Sequence, residues 1–292
     1  ILYKSTLDFM KLTVLLLSFL FWLLKNKSTK IIEGVRMIPE ITLSSGSKMP
    51  VLGLGTWQLR GDICRSVIKM AYQLGYRHFD TAWFYNNQEE IGQAFKEIRV
   101  SRSDIFVTSK IWRDSLRAPE VYKQFQDCLD QLQMDYIDLL LIHWPNPEVH
   151  LEETLGAFNE LYQKGKIKSL GVSNFDIELI EKANSIAPIS VNQIRCHIGH
   201  RPSGLIKYCQ QNKIAITAYS PLAKRELFDY SMVQEIANEL SRTSAQVALR
   251  WLVQQEALVI PKASSKQHLQ ANLGIFDWDL TSTQVAQLNQ IE

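Results

Sequence analysis

Cysteine is scarce in this sequence: four residues in 292, Cys64, Cys128, Cys196 and Cys209, none at paired spacing. That excludes a disulfide framework and reads as buried thiols in a reducing compartment. Charge of one sign is also missing. The formal net charge is +2 and no basic run interleaves with aromatics, so nucleic-acid binding has no electrostatic footprint. There is no low-complexity segment, no Pro/Gly-rich linker and no sign of a second domain. A Rossmann glycine fingerprint is absent too: the nearest match, Gly53-Leu54-Gly55-Thr56-Trp57-Gln58, lacks the last glycine. Finally, the apolar run at 12–24 (LTVLLLSFLFWLL) is short of the roughly 20 residues that a spanning helix needs.

That run is flanked by Lys11 and by Lys25, Lys27 and Lys30, and no small-x-small cleavage site follows it. Three readings compete: a membrane anchor, a processed leader, or sequence upstream of a start at Met37. The cysteine usage fits secretion badly and favours the last, with a cytoplasmic protein and residues 1–40 as an extension to a domain over 41–292.

What is present is regular. A hydrophobic fraction of 46% and a charged fraction of 21% are ordinary for a globular chain. ITLSSGSKMP reads as a hairpin turning at Ser-Gly-Ser. Apolar, β-prone runs follow at 51–56, 77–82, 105–111, 137–143, 167–173, 189–195, 215–220 and 258–262, separated by stretches of helical period. Residues 151–164 put Leu151, Leu155, Phe158, Leu161 and Tyr162 on one stripe, with Gly165 closing the helix. Residues 119–132 behave alike, with Pro119 in the first turn. The strand runs lack period-2 alternation, as parallel strands buried on both faces should. Eight strand–helix units over about 250 residues predict a (β/α)8 barrel of the TIM type, its bottom closed by the hairpin. A doubly wound sheet is the alternative, weakened by the missing glycine.

Four residues stand at or just beyond the ends of three of these runs. RHFDTAWFY carries Asp80 and Tyr85, IFVTSKIW carries Lys110, and IDLLLIHWP carries His143. In a barrel they meet on one rim. A phenol near its usual pKa of about 10 is a sluggish acid at neutral pH. An adjacent ammonium lowers that pKa, and a carboxylate keeps the ammonium charged. An imidazole can hold a carbonyl oxygen beside the phenol. The set therefore suits proton donation to a carbonyl oxygen as it gains charge. Taken singly, each residue is as well explained as a helix cap or a solvated side chain; the combination is not. Cys196, His197 and His200 also cluster, but no well-spaced further ligand accompanies them, so no metal is expected.

The motifs DTAWFY, SKIW, LLIHWP, GVSNF, VNQI, TAYSPL and IPKAS occur in the order and at the approximate spacing of the aldo-keto reductase superfamily, over about residues 41–292. By that resemblance Tyr85 is the general acid, Lys110 and Asp80 tune it, and His143 orients the carbonyl. Hydride comes from a nicotinamide, with NADPH the expected cofactor and NADH an option. Ser173, Asn174 and Gln193 match residues that hold the nicotinamide amide, and Tyr219 the ring stacked on it. Ser220 and Leu222 match the pyrophosphate site, Lys262 the partner of the 2′-phosphate, and Asn272 a position near the adenine. Thr56, Trp57, Ser264 and His268 complete the expected cofactor set. Trp57, Trp83, Phe84, Trp112 and Trp144, with His143, are the expected substrate pocket.

The chain departs from the family pattern where Ala263, His268 and Ala271 replace the frequent Ser, Arg and Glu, with Lys266, Ser264 and Ser265 as compensation. Neutral histidine lacks the bidentate fork of arginine. Arg195 stands where an acid is common, so looser cofactor retention is implied. The resemblance thus implies an NADPH-dependent reductase of small aldehydes and ketones, and no exposed apolar stripe in the barrel region demands a partner, so a monomer is expected. Two other readings remain: a cofactor-binding regulatory barrel with little turnover, and a phosphate-handling isomerase or lyase. The last requires a glycine-rich phosphate loop, which SPLAKRE and PKASSKQ do not provide.

Overall fold

The computed structural model describes residues 31–32, 35–36, 38–223 and 226–291. The apolar run at 12–24 and Met37 lie outside the described residues. Ile31–Ile32 (β1) and Val35–Arg36 (β2) form a short antiparallel pair. Glu40–Thr42 (β3) and Lys48–Pro50 (β4) are the expected hairpin, with Gly46 at φ +89° in its turn. That left-handed conformation is one that glycine adopts without a Cβ penalty.

Eight parallel strands follow in strict sequence order: Leu54–Gly55 (β5), His78–Asp80 (β6), Phe106–Ile111 (β7), Ile137–Ile142 (β8), Ile167–Ser173 (β9), Ile189–Arg195 (β10), Ala215–Tyr219 (β11) and Ala257–Val259 (β12). The first and last segments close the ring. Val259 N–H donates to Val51 O and Gly53 N–H donates to Val259 O, both at 2.9 Å. Gly55 sits so close to β12 that a Cβ there would lie 2.5 Å from Ile260 O, so the closure needs glycine.

Strand β7 shows why no simple alternation is visible in the sequence. All six of its residues are buried. Phe106 points into the barrel floor, Thr108 Oγ1 meets His78 Nε2 inside it at 3.2 Å, and Lys110 reaches the upper rim. Val107 and Ile111 face outward into the main core, where Ser109 hydrogen-bonds Gln88 and Cys128 on the helix layer. One strand thus runs from floor to active rim on one side and packs helices on the other. Full burial of both faces replaces the polar–apolar rhythm.

The hairpin plugs the floor. Leu43 and Met49 pack with Phe106, Leu139, Leu141, Val191 and Leu258. Ser45 Oγ lies 2.8 Å from Ser169 Oγ, and Ser44 Oγ donates to Ser190 Oγ at 3.1 Å. The helices outside match expectation at Ala118–Leu132 and Leu151–Gln163. Gly165 is left-handed (φ +68°), though the cap residue itself is Lys164. All four cysteines are free and buried. Burial pushes the thiols of Cys64, Cys128 and Cys196 up to about 12, which leaves them unreactive at neutral pH. Among the described residues, no helix is long and apolar enough to cross a membrane.

Candidate active site

The upper ends of β6, β7, β8 and β10 bring four inward side chains together. Lys110 is fully buried and Asp80 is 2% exposed. The ammonium spends its three protons on three fixed acceptors: Asp80 Oδ1 at 2.5 Å, Thr81 O at 2.9 Å and Tyr85 Oη at 3.3 Å. Gln193 Nε2 satisfies the other carboxylate oxygen at 2.7 Å. Burial is the largest single effect on Lys110 and would lower its pKa, but Asp80 and Tyr85 together outweigh it and the net shift is upward. The lysine therefore stays charged.

Tyr85 departs from the simple expectation. Burial raises its phenol pKa, and the opposing pull of Lys110 does not cancel that. The group is thus held firmly in its acid form, and what the lysine supplies is orientation plus stabilisation of the anion left after proton loss. His143 is displaced the other way: burial first, then Lys110, lower its pKa to about 3. It is neutral at pH 7 and cannot serve as the acid. Its Nδ1 is buried with no partner among the described residues. A buried orphan lone pair is better tolerated than a buried orphan N–H. The ring proton is therefore assigned to Nε2, on the nitrogen left free to donate into the cleft.

The cleft above these groups has a volume of about 360 Å³ and extends from Trp57, Phe84, Trp112 and Trp144 past Ser173, Asn174, Gln193, Tyr219 and Ser220 to Lys262. At the aromatic end Phe84 stacks on Trp112 with centroids 3.8 Å apart and planes within 10°. Trp57 flanks Tyr85 at 4.8 Å. At the other end Tyr219 Oη donates to Asn174 Oδ1 at 2.9 Å, and Asn174 Nδ2 donates to His143 O and Ser173 Oγ. These bonds lock Asn174 at φ +63°. They also remove the capping alternative, because the following helix, Ile177–Ile186, is capped by Asp176, which accepts from Leu179 N–H.

Not every expected residue lines this cleft. Trp83 is half-buried outside it, and Leu222 packs against the main core. Ser264 and His268 are exposed beyond the lining. Asn272 is 5% exposed and lies beside the phenol of Tyr76, which donates to Leu269 O on the same helix at 3.1 Å. Ser265 caps the helix Lys266–Leu273 by accepting from His268 N–H. Sequence reasoning also passed over Asn87. Its Oδ1 accepts from Thr81 Oγ1, and its Nδ2 donates to Thr56 O and Leu59 O. It ties the loop after β5 to the backbone that Lys110 uses. Asparagine in a loop carries no distinguishing pattern, so only the fold exposes this role.

The two ring nitrogens of His197 are both engaged, one on Ile198 O and one on Arg195. Among the described residues no group of three or more His, Cys, Asp or Glu is arranged to hold a metal.

A second buried imidazole shares the low-pKa state: burial, above all, lowers His78 to about 4. Between the usual 6.5 and these values the unfolded chain binds protons that the folded one refuses. Stability therefore falls as pH drops, by about 1.4 kcal/mol per pH unit for each histidine. Urea midpoints at pH 7 and pH 5 should differ accordingly, with part of the difference removed in His78→Asn. Equal midpoints would contradict the burial of both rings as neutral groups.

A closed parallel barrel with a Lys–Asp–Tyr–His rim and a long polar arm to its cleft defines the class of barrel oxidoreductases. The model of the aldo/keto reductase family matches residues 51–292. The chain belongs to that family. The "Uncharacterized oxidoreductase YtbE" of Bacillus subtilis is 36% identical over 257 residues, 86% of this chain and 91% of that protein. "Methylglyoxal reductase DkgA" of Escherichia coli O157:H7 is 34% identical over 86% of this chain and 93% of its own. The crystal structure of an aldo-keto reductase (AKR2E5) complexed with NADPH superposes with a TM-score of 0.82 at 33% identity, covering 87% of this chain and 88% of that one.

Proposed function

We propose that this protein reduces small aldehydes and ketones to alcohols with NADPH, with Tyr85 as the proton donor. The observation that carries the reading is the fully buried ammonium of Lys110 bridging Asp80 and the phenol of Tyr85. The cleft fits a nicotinamide dinucleotide. Tyr219 offers a half-buried ring face, and Gln193 lines the cleft with its Nε2 already donated to Asp80 Oδ2. With that nitrogen engaged, the amide oxygen of Gln193 is the atom left to accept from a carboxamide NH2. When bound, the dinucleotide supplies the hydride.

The chain's own residues do the rest. Ser173, Asn174 and Gln193 fix the amide end, and Ser220 borders the pyrophosphate. His143 Nε2 donates to the carbonyl oxygen and holds it beside Tyr85. As charge develops on that oxygen, Tyr85 gives up its proton, and the phenolate is stabilised by Lys110. The aromatic end, built of Trp57, Phe84, Trp112 and Trp144, suits carbonyl compounds with apolar parts. The reading includes a monomer acting in a reducing, cytoplasmic compartment, in keeping with four free buried thiols.

The test is consumption of reduced nicotinamide, followed by absorbance, against a panel of aldehydes, sugar-derived carbonyls and keto acids. Turnover with at least part of the panel is expected. Cofactor quenching of tryptophan fluorescence with no turnover would favour a regulatory barrel instead. Lys262, exposed at the far end of the cleft, is the expected 2′-phosphate partner. Lys262→Met should weaken NADPH about tenfold and leave NADH unchanged, since the lost bond is to a charged group. Equal Kd values for both cofactors in the wild type would remove that role.

A further inference from the structure

Strand β10 carries one more side chain on the face that builds the site. Alternate residues of a strand share a face. Val191 lies in the barrel-floor cluster, Gln193 reaches Asp80, and Arg195 follows on the same face at the rim, exposed to solvent. Its ladder partner is Tyr219, which lines the cleft.

The way Arg195 is held is informative. Its Nε donates to His197 Nε2 at 3.1 Å. His197 Nδ1 lies 2.7 Å from Ile198 O. A carbonyl only accepts, so Nδ1 carries the proton and Nε2 is the acceptor. Burial lowers the pKa of this ring, outweighing its bond to Ile198 O, and Arg195 lowers it further. The mount is rigid: His197 and His200 exchange backbone hydrogen bonds of 3.1 and 2.9 Å around Gly199. Gly199 is at φ +86°, and a Cβ there would fall 2.2 Å from Tyr230 Oη.

A neutral acceptor positions a guanidinium without cancelling its charge. Arg65, Arg102, Arg113, Arg242 and Arg250 each pair with an aspartate among the described residues; Arg195 is not in that set. An exposed arginine held by a neutral acceptor, beside a residue that lines the cleft, is suited to an anion. The expected substrate aromatics belong to the loops after β5 to β8, whereas Arg195 stands beside Tyr219, at the nicotinamide end. We infer that Arg195 is an anion clamp for the pyrophosphate of the bound dinucleotide, positioned by His197. This rests on the cleft being a dinucleotide site. It reverses the looser retention implied by the loss of an acid at this position.

Tryptophan quenching gives Kd for NADPH and NADH directly, with melting temperature as a control for folding. Arg195→Ala should raise both Kd values by a similar factor of about ten or more, because both cofactors carry the pyrophosphate. Arg195→Lys should recover part of the loss, and the rise of Kd with ionic strength should be shallower in Arg195→Ala than in the wild type. His197→Phe should weaken both cofactors to a lesser degree, and His197→Gln, which keeps an acceptor, less than that. Unchanged Kd values in Arg195→Ala would overturn the clamp. So would a loss confined to NADPH, which would place the arginine at the 2′-phosphate. A rise only in KM for keto acids would instead assign it to the substrate. A wild-type protein that binds neither cofactor would sink the functional reading itself, a result distinct from all of these.

Discussion

Tyr85→Phe is expected to lower kcat for aldehyde reduction by about a thousandfold or more while changing the NADPH Kd by less than about twofold. The substitution removes one oxygen and keeps the ring, so the packing on Trp57 (4.8 Å) and His143 (5.6 Å) survives. What disappears is the proton donor: the neutral imidazole of His143 can hydrogen-bond the carbonyl oxygen but is far too weak an acid to protonate it. His143 is already neutral at pH 7, with its pKa near 3, and Lys110 has each proton committed. Positioned acid catalysis contributes about 10² to 10⁴ in rate. Steady-state kinetics with saturating NADPH, alongside fluorescence titration of the cofactor, separates the two effects. Turnover within tenfold of the wild type would assign the acid elsewhere.

Lys110→Met is expected to abolish turnover and also to destabilise the fold by about 3–5 kcal/mol, because it strands the carboxylate of Asp80 in the barrel with one charged oxygen unpaired. Gln193 would still satisfy Oδ2, but nothing would replace the bond to Oδ1. For a domain of this size the loss corresponds to a drop in Tm of about 6–20 °C. The double variant Asp80→Asn with Lys110→Met removes the stranded charge and should recover most of the stability without recovering activity. If the single variant melts with the wild type, the buried pair is not the structural keystone of the rim. If the double variant is active, the lysine is not needed to stabilise the phenolate.

The clarity of the sequence differed from one part of the molecule to another. Strands β7 to β11 were readable to within a residue or so, because each is a long apolar run bounded by turn residues. The first two barrel strands and the last shrank to Leu54–Gly55, His78–Asp80 and Ala257–Val259. Their ends are set by barrel closure and not by local pattern. In the site, the rim residues were legible because strand ends and chemistry coincide at Asp80, Lys110 and His143. Asn272 offered no such signal: it sits on the helix Lys266–Leu273 and is buried beside Tyr76, which only folding brings near. Asn87 and His197 were invisible as functional supports, since each acts through bonds to backbone or side chains that only folding brings near.

The sequence by itself determined that there would be eight strand–helix units, and that a carboxylate, an amine, a phenol and an imidazole would end up on one rim. Hydrophobic runs and strand ends are local properties, and the right-handed, in-order connection of parallel strands does the rest. Electrostatic state was decided only by tertiary structure. Burial holds Tyr85 as an acid where charge proximity alone argued for a lowered pKa, and it keeps His143 neutral. Folding also placed the ring of His197 as a hydrogen-bond acceptor against Arg195. Desolvation and the identity of a hydrogen-bond partner depend on residues far away in the chain, and no spacing along the sequence encodes them.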